Sequence, residues 1–95
     1  MIKEEGAKRR NALLESYEEE QLKFADGFDE AIIGIHDNFT KKPIVIYSKK
    51  KCIKILMDNG MTYEEAIEYF DFNVSGAYVG EDTPIWCDDM ILEDL

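Results

Sequence analysis

The stretch PIVIYSKKKCIKILMDNG, residues 43–60, contains the signals for a strand that leads directly into a helix. Its first five residues are rich in β-branched side chains and predict a strand. Ser48 is a good N-cap, so a helix is predicted to begin there and to run through Asp58, with Gly60 ending it. The side chains expected to face the core from this helix are Cys52, Ile53, Leu56 and Met57.

A second strand is predicted upstream of this stretch. Residues 31–35, AIIGI, are apolar, and the loop of residues 36–42 makes an antiparallel hairpin the simplest connection. Because both strands are apolar on both faces, each is expected to be central in the sheet or covered on both sides. Apolar side chains at three- and four-residue spacing predict an earlier helix over residues 7–24. Acids near its C-terminal end oppose the helix dipole, so this helix is expected to need packing against the fold or a partner.

Downstream, the tetrapeptide Thr62-Tyr-Glu-Glu65 is a capping box. Thr62 is expected to cap a helix, and Glu65 to reach back to the backbone of Thr62. This third helix is predicted to run to Tyr78 and to stop at Gly80.

Residues 84–87, PIWC, predict a third strand, with the proline suited to an edge or to a strand start. The order of elements predicts a small single α+β domain: an N-terminal helix, an antiparallel β-hairpin, two helices, a third strand and an acidic tail. The boundaries assign residues 1–25 to the N-terminal helix, 26–87 to the α+β core and 88–95 to the acidic C-terminal tail.

Charge is distributed unevenly along the chain. Residues 55–95 contain 11 Asp or Glu and no Lys or Arg, whereas the first 54 residues hold all 11 basic side chains. The net charge of −10 therefore originates in the C-terminal part and predicts one strongly negative face. A pI near 4.4 argues against direct binding of nucleic acid and of anionic membranes. The chain start lacks the apolar stretch of a signal peptide, so a cytoplasmic location is expected.

The acidic C-terminal part predicts binding of a protein partner. Its carboxylates would dock on a basic groove or imitate a nucleic-acid backbone, and the simpler alternative is a solvated surface. The residues expected to contribute charge are Glu64, Glu68, Asp71, Glu81, Asp82, Asp88 and Asp89. Tyr78 and Trp86 are the candidate aromatic anchors. Phe72 and Tyr69 belong either to the core or to an exposed aromatic patch.

Lys49, Lys50 and Lys51 form the opposite kind of cluster. They fall at a predicted helix N-terminus, where the helix dipole favours an anion, so they are a weak candidate anion site. The alternatives are a solvated face or a head-to-tail contact between copies of the chain. A Gly-rich phosphate loop is absent from the sequence.

A small-ligand or metal-dependent enzyme is the alternative from another class. The enzyme would use Asp26, Asp29, Glu30 and His36. The carboxylates that flank the predicted hairpin, those of Asp26, Asp29, Glu30 and Asp37, would supply oxygen ligands for a metal ion. Their spacing matches no calcium loop, and Cys52 and Cys87 are expected to be reduced core thiols rather than zinc ligands. No cofactor, no metal and no catalytic residue is therefore expected.

Several segments resemble one known family. They are residues 26–34 (DGFDEAIIG), 44–47 (IVIY), 61–80 (MTYEEAIEYFDFNVSGAYVG) and 83–86 (TPIW). Together they resemble small uncharacterised proteins encoded by tailed bacteriophages, over about residues 24–87. The family has no established activity, so the resemblance implies a phage setting and little chemistry. Together with the acidic C-terminal part, a phage setting favours an accessory protein that inhibits or redirects a host defence or nucleic-acid-processing factor. The alternative is an oligomeric phage structural or assembly protein, assembled through the N-terminal helix.

Overall fold

The structure is a computed structural model that describes residues 3–18, 22–38, 41–76 and 83–90. Its helices are α1 (Lys3–Ser16), α2 (Lys49–Asp58) and α3 (Tyr63–Tyr69), with a short 3-10 turn at Asp29–Ala31 and a π-helical turn at Phe70–Val74. The strands are β1 (Ile32–Asn38), β2 (Lys41–Ser48) and β3 (Ile85–Cys87). The α+β class that the sequence predicts is confirmed.

The three strands form one mixed sheet in the order β1-β2-β3. β1 and β2 pair antiparallel, which confirms the predicted hairpin, and β3 joins β2 in parallel with Trp86 opposite Tyr47. β2 is therefore central, as expected. The same expectation is wrong for β1, which lies at an edge of the described sheet and leaves Ile33 46% exposed.

Alternation along β3 corrects one expectation about the cysteines. Successive side chains of a strand point to opposite faces, so half-buried Trp86 turns inward while Ile85 and Cys87 are exposed. Cys87 is thus not a core residue, whereas Cys52 is buried, as predicted.

α1 ends eight residues earlier than the sequence predicts, at Ser16 rather than residue 24. The chain near residue 25 is bonded to β2 instead, because the backbone N–H of Ala25 donates to the buried Tyr47 hydroxyl at 2.7 Å. α1 packs closely on the 3-10 turn, because a Cβ at Gly6 would lie 2.7 Å from the backbone nitrogen of Glu30. Arg9 donates to the carbonyl oxygen of Glu30 at 2.9 Å and fastens the helix there.

α2 has the predicted boundaries and both predicted ends. Ser48 Oγ accepts from the backbone N–H of Lys51 at 3.1 Å. At the other end Gly60 has φ 108°, and its N–H and that of Met61 donate back to the carbonyl oxygens of Met57 and Leu56. This pair of bonds is a Schellman motif, which favours glycine at the left-handed position.

The capping box of α3 is confirmed. Glu65 N–H donates to Thr62 Oγ1 at 3.2 Å, and Thr62 N–H donates to Glu65 Oε1 at 2.9 Å. α3 ends at Tyr69 and the π-helical turn follows it. The backbone N–H of Ser75, just after this turn, donates to the carbonyl oxygen of Phe70 at 2.8 Å. The predicted continuation to Tyr78 and stop at Gly80 lie outside the described residues.

The core lies between the sheet and the helices α2 and α3. Tyr47 and Phe70 are its largest fully buried side chains. Burial raises the pKa of the Tyr47 phenol to about 12, because removal from water disfavours the charged form. The other buried apolar members are Phe28, Ala31, Ile32, Val45, Cys52, Ile53, Leu56, Ala66 and Val74.

Candidate protein-binding face

α3 and the π-helical turn divide their side chains between core and solvent. Ala66, Phe70 and Val74 are buried. The aromatic side chains on the other side are exposed: Tyr69 to 42% and Phe72 to 76%. A phenylalanine that is mostly in water forgoes about 1.5–3 kcal/mol of burial free energy, so this surface has unused binding capacity.

Carboxylates surround this aromatic surface. Glu64 and Glu68 are four residues apart on α3, so their side chains are neighbours on one helix side, and both are exposed. Glu68 also lines a shallow depression of about 380 Å³. We call the following set the α3 face: Met61, Glu64, Glu65, Glu68, Tyr69, Phe72 and Asn73.

The α3 face has no basic side chain among its members. Neither Glu64 nor Glu68 forms an ion pair within the part of the chain that the structure describes. Glu65 is engaged in the capping box. Among the described residues, the face therefore combines two carboxylates that have no ion-pair partner with two exposed aromatic rings, a composition suited to a basic partner surface.

The other described acids predicted to contribute charge are engaged within the molecule. Lys49 Nζ lies 3.7 Å from Asp71 Oδ1 and 3.8 Å from Asp88 Oδ2, so one lysine bridges two carboxylates. Both acids remain more than half exposed, so these ion pairs contribute little to stability. Glu81 and Asp82 lie outside the described residues.

Asp89 occupies the N-terminus of α2. Its Oδ2 accepts from Ser48 Oγ at 2.5 Å, and its Oδ1 accepts from the backbone N–H of Lys50 at 2.9 Å. Partial burial acts to raise the pKa of Asp89, but the hydrogen bonds from Ser48 and Lys50 outweigh burial and hold this pKa below its ordinary value. Lys49, Lys50 and Lys51 are the weak candidate anion site of the sequence analysis. In the structure, the anion at this helix N-terminus is the Asp89 carboxylate of the same chain.

The thiol of Cys52 lies under the same helix turn. Burial, and to a smaller extent the Asp89 charge, raises its pKa to about 12. A thiol with so high a pKa stays protonated at neutral pH and is a poor nucleophile. Cys52 therefore acts as a packing residue.

The predicted aromatic anchors have different positions. Tyr78 lies outside the described residues. Trp86 is half-buried and packs against Tyr47 and Phe70, with ring centroids 5.0 and 5.5 Å away. Its buried indole N–H has no hydrogen-bond partner among the described residues. Phe72, for which the sequence allows either a core or a surface position, is the most exposed aromatic residue of the α3 face.

A second depression adjoins the α3 face. This aromatic cleft, of about 400 Å³, shares Tyr69 and Asn73 with the α3 face. Its other lining residues are Lys23, Phe24, Ala25, Asp26, Phe28, Val74, Pro84 and Trp86. No sequence pattern predicts this cleft, because its rings come from segments far apart in the chain.

The structure does not bring together the four residues of the enzyme alternative. Asp29 pairs with Arg10 at 3.4 Å and, with Glu30, lines a cleft of about 450 Å³. Asp26 lines the aromatic cleft instead, and His36 is exposed on β1. Within the described ranges, no group of three or more His, Cys, Asp or Glu side chains is placed to hold a metal ion.

Comparison with family models, with curated proteins and with solved structures finds no match for this chain. Over the described residues, no helix is both long enough and apolar enough to cross a membrane.

Proposed function

We propose that this protein acts by binding a basic surface of another protein through the α3 face. The observation that carries the proposal is the 76% exposure of Phe72, which lines one depression with Glu68, while Glu64 is exposed one helical turn before Glu68. An aromatic anchor bordered by charge is the usual composition of an interaction hot spot with its rim. The protein is, on this proposal, a binding protein and not an enzyme.

Charge supports the proposal over a longer range. With no Lys or Arg in residues 55–95, the field around the α3 face attracts basic surfaces and speeds their encounter. The aromatic ring then supplies the short-range contact that slows dissociation. The resemblance to tailed-phage proteins favours a host protein as the partner, and inhibition or redirection of that partner as the outcome.

The test is affinity capture of the tagged protein from host lysate, compared between variants. We expect the double variant Glu64→Lys/Glu68→Lys to lose a partner that the unaltered protein retains at low salt. The matched control is Glu15→Lys/Glu18→Lys, which makes the same charge change at exposed positions at the end of α1 and beyond it. Equal losses from both double variants would contradict a specific role for the α3 face.

Phe72→Ala separates the anchor from the charge. We expect it to weaken partner binding by about thirtyfold or more, as removal of a central hot spot does, while leaving the salt dependence of binding unchanged. Because Phe72 is mostly exposed, its removal should leave the thermal stability nearly unchanged. Unchanged partner binding in Phe72→Ala would remove the anchor from the proposal.

The assembly alternative rests on α1. In the structure this helix is fastened to its own chain by Arg9, although Leu14 is 43% exposed. A measurement of solution mass by light scattering addresses it directly, since assembly through α1 requires a mass above that of the 11.0 kDa chain.

A further inference from the structure

The aromatic cleft has a lining suited to an organic cation. Four aromatic side chains line it: Phe28 is buried, Phe24 and Trp86 are half-buried, and Tyr69 is exposed. The faces of aromatic rings carry negative electrostatic potential, and several rings around one cavity bind guanidinium and ammonium groups. A volume of about 400 Å³ lies within the range of small-ligand sites.

The rings of this protein already attract its own cations. The guanidinium carbon of Arg10 lies 4.6 Å from the ring centroid of Phe24, and Lys49 Nζ lies 5.6 Å from that of Phe70. Arg10 is also paired with Asp29, which offsets its charge near the cleft. One ring that lines the cleft, that of Phe24, therefore already has a cation at its face.

Two exposed charged residues of opposite sign line the cleft. Asp26 would attract a bound cation, and Lys23 would oppose it. Because the two side chains act in opposite directions, each provides a test of the charge of the occupant.

We propose that the aromatic cleft binds an arginine side chain presented by the basic protein partner. This inference rests on the proposed function, and names the chemistry by which that partner is recognised. The flat guanidinium stacks on rings more readily than an ammonium does, which favours arginine over lysine. Because the cleft shares Tyr69 and Asn73 with the α3 face, one partner segment spans both surfaces.

The single tryptophan of the chain makes the test direct. Trp86 lines the cleft, so intrinsic fluorescence reports its occupancy. The probes are three capped tripeptides, acetyl-Gly-X-Gly-amide, in which X is arginine, lysine or citrulline, the neutral isostere of arginine. At constant ionic strength we expect a saturable change with arginine, with a dissociation constant in about the millimolar range, as befits a small ligand. Lysine should bind more weakly, and citrulline more weakly again.

Single substitutions in the full-length chain sharpen the test. Asp26→Asn should weaken arginine-peptide binding by about threefold, and Lys23→Gln should strengthen it by a similar factor, as removing one charge near a cation–π site predicts. Tyr69→Leu should weaken it further. Tyr63→Leu is the control, because Tyr63 is an exposed tyrosine of α3 that does not line the cleft.

Three outcomes overturn the inference: no saturable change with any peptide, equal binding of the arginine and citrulline peptides, or no effect of Asp26→Asn and Lys23→Gln. Each can occur while the α3 face still captures a partner, in which case only the cleft assignment fails. Conversely, arginine binding in the cleft with no partner loss from Glu64→Lys/Glu68→Lys would overturn the proposed function alone.

Discussion

The helices α2 and α3 have contrasting N-termini. α3 satisfies its first N–H groups locally, because Thr62 and Glu65 exchange hydrogen bonds across three residues. α2 begins with three lysines, which oppose the helix dipole, and it is completed by Asp89, a residue 41 positions beyond Ser48. The α3 start is formed by sequence neighbours alone, whereas the α2 start combines the local Ser48 cap with a carboxylate from a distant part of the chain.

The two helix N-termini therefore depend on different parts of the chain. The capping box needs only its own four residues and forms wherever that helix forms. The Asp89 part of the α2 start needs β3 in place beside β2, since Asp89 lies two residues after Cys87, the last residue of that strand. The α2 start therefore reports the docking of the C-terminal segment, and the α3 start does not.

The largest effect on stability is expected from Ser48→Ala. Ser48 is fully buried, caps α2 through Lys51 N–H and donates to Asp89, so its removal breaks two interactions at once. We expect a loss of about 2 kcal/mol in the free energy of unfolding, from a lost cap and a lost hydrogen bond to a charged group. Urea denaturation followed by circular dichroism measures it. A loss no larger than that of an exposed serine such as Ser75→Ala would contradict the arrangement.

Thr62→Ala should have a smaller effect, about 1 kcal/mol, because it removes one local cap at an exposed position. The comparison is sharpened by combining each change with Asp89→Ala. Ser48→Ala and Asp89→Ala act on one hydrogen bond and should be strongly non-additive, whereas Thr62→Ala and Asp89→Ala share no partner and should add. Additivity in both pairs would show that the hydrogen bond between Ser48 and Asp89 does not stabilise the α2 start.

The same contrast explains what the sequence can predict. The capping box, the Ser48 cap and the Gly60 stop are local patterns, and each is confirmed. The predicted length of the first helix is wrong because Ala25 is held by Tyr47, a contact between distant segments. Similarly, the acidic composition of the C-terminal part is plain from the sequence, but its division between the α3 face and pairs with Lys49 is set by tertiary structure.

The candidate site was predictable to the same degree. Glu64 and Glu68 follow from helical spacing and are exposed as expected on α3. The surplus of aromatic residues predicts an exposed patch with Phe72 and Tyr69 among its candidates, but composition alone does not indicate which rings the core can hold. The π-helical turn at Phe70–Val74 changes the spacing on which periodicity arguments depend.

The smallest effect is the pH dependence of the α2 start. The pKa of Asp89 in the folded chain lies below its ordinary value of 3.8, so its carboxylate contributes stability that is fully present above that value and is lost as pH falls through the folded pKa. Asp89→Asn removes the charge and should therefore lower the free energy of unfolding at pH 7. The difference between Asp89→Asn and the unaltered chain should stay constant down to about pH 5 and shrink below pH 4.

Thr62→Ala provides the control for this titration. Its cap has no charge, so its deficit relative to the unaltered chain should not follow the titration of Asp89. Parallel urea denaturation curves at pH 7, 5 and 3 measure both deficits. A deficit of Asp89→Asn that persists unchanged at pH 3 would mean that the Asp89 charge contributes nothing to the α2 start, and that its hydrogen bonds alone hold the C-terminal segment against the helix.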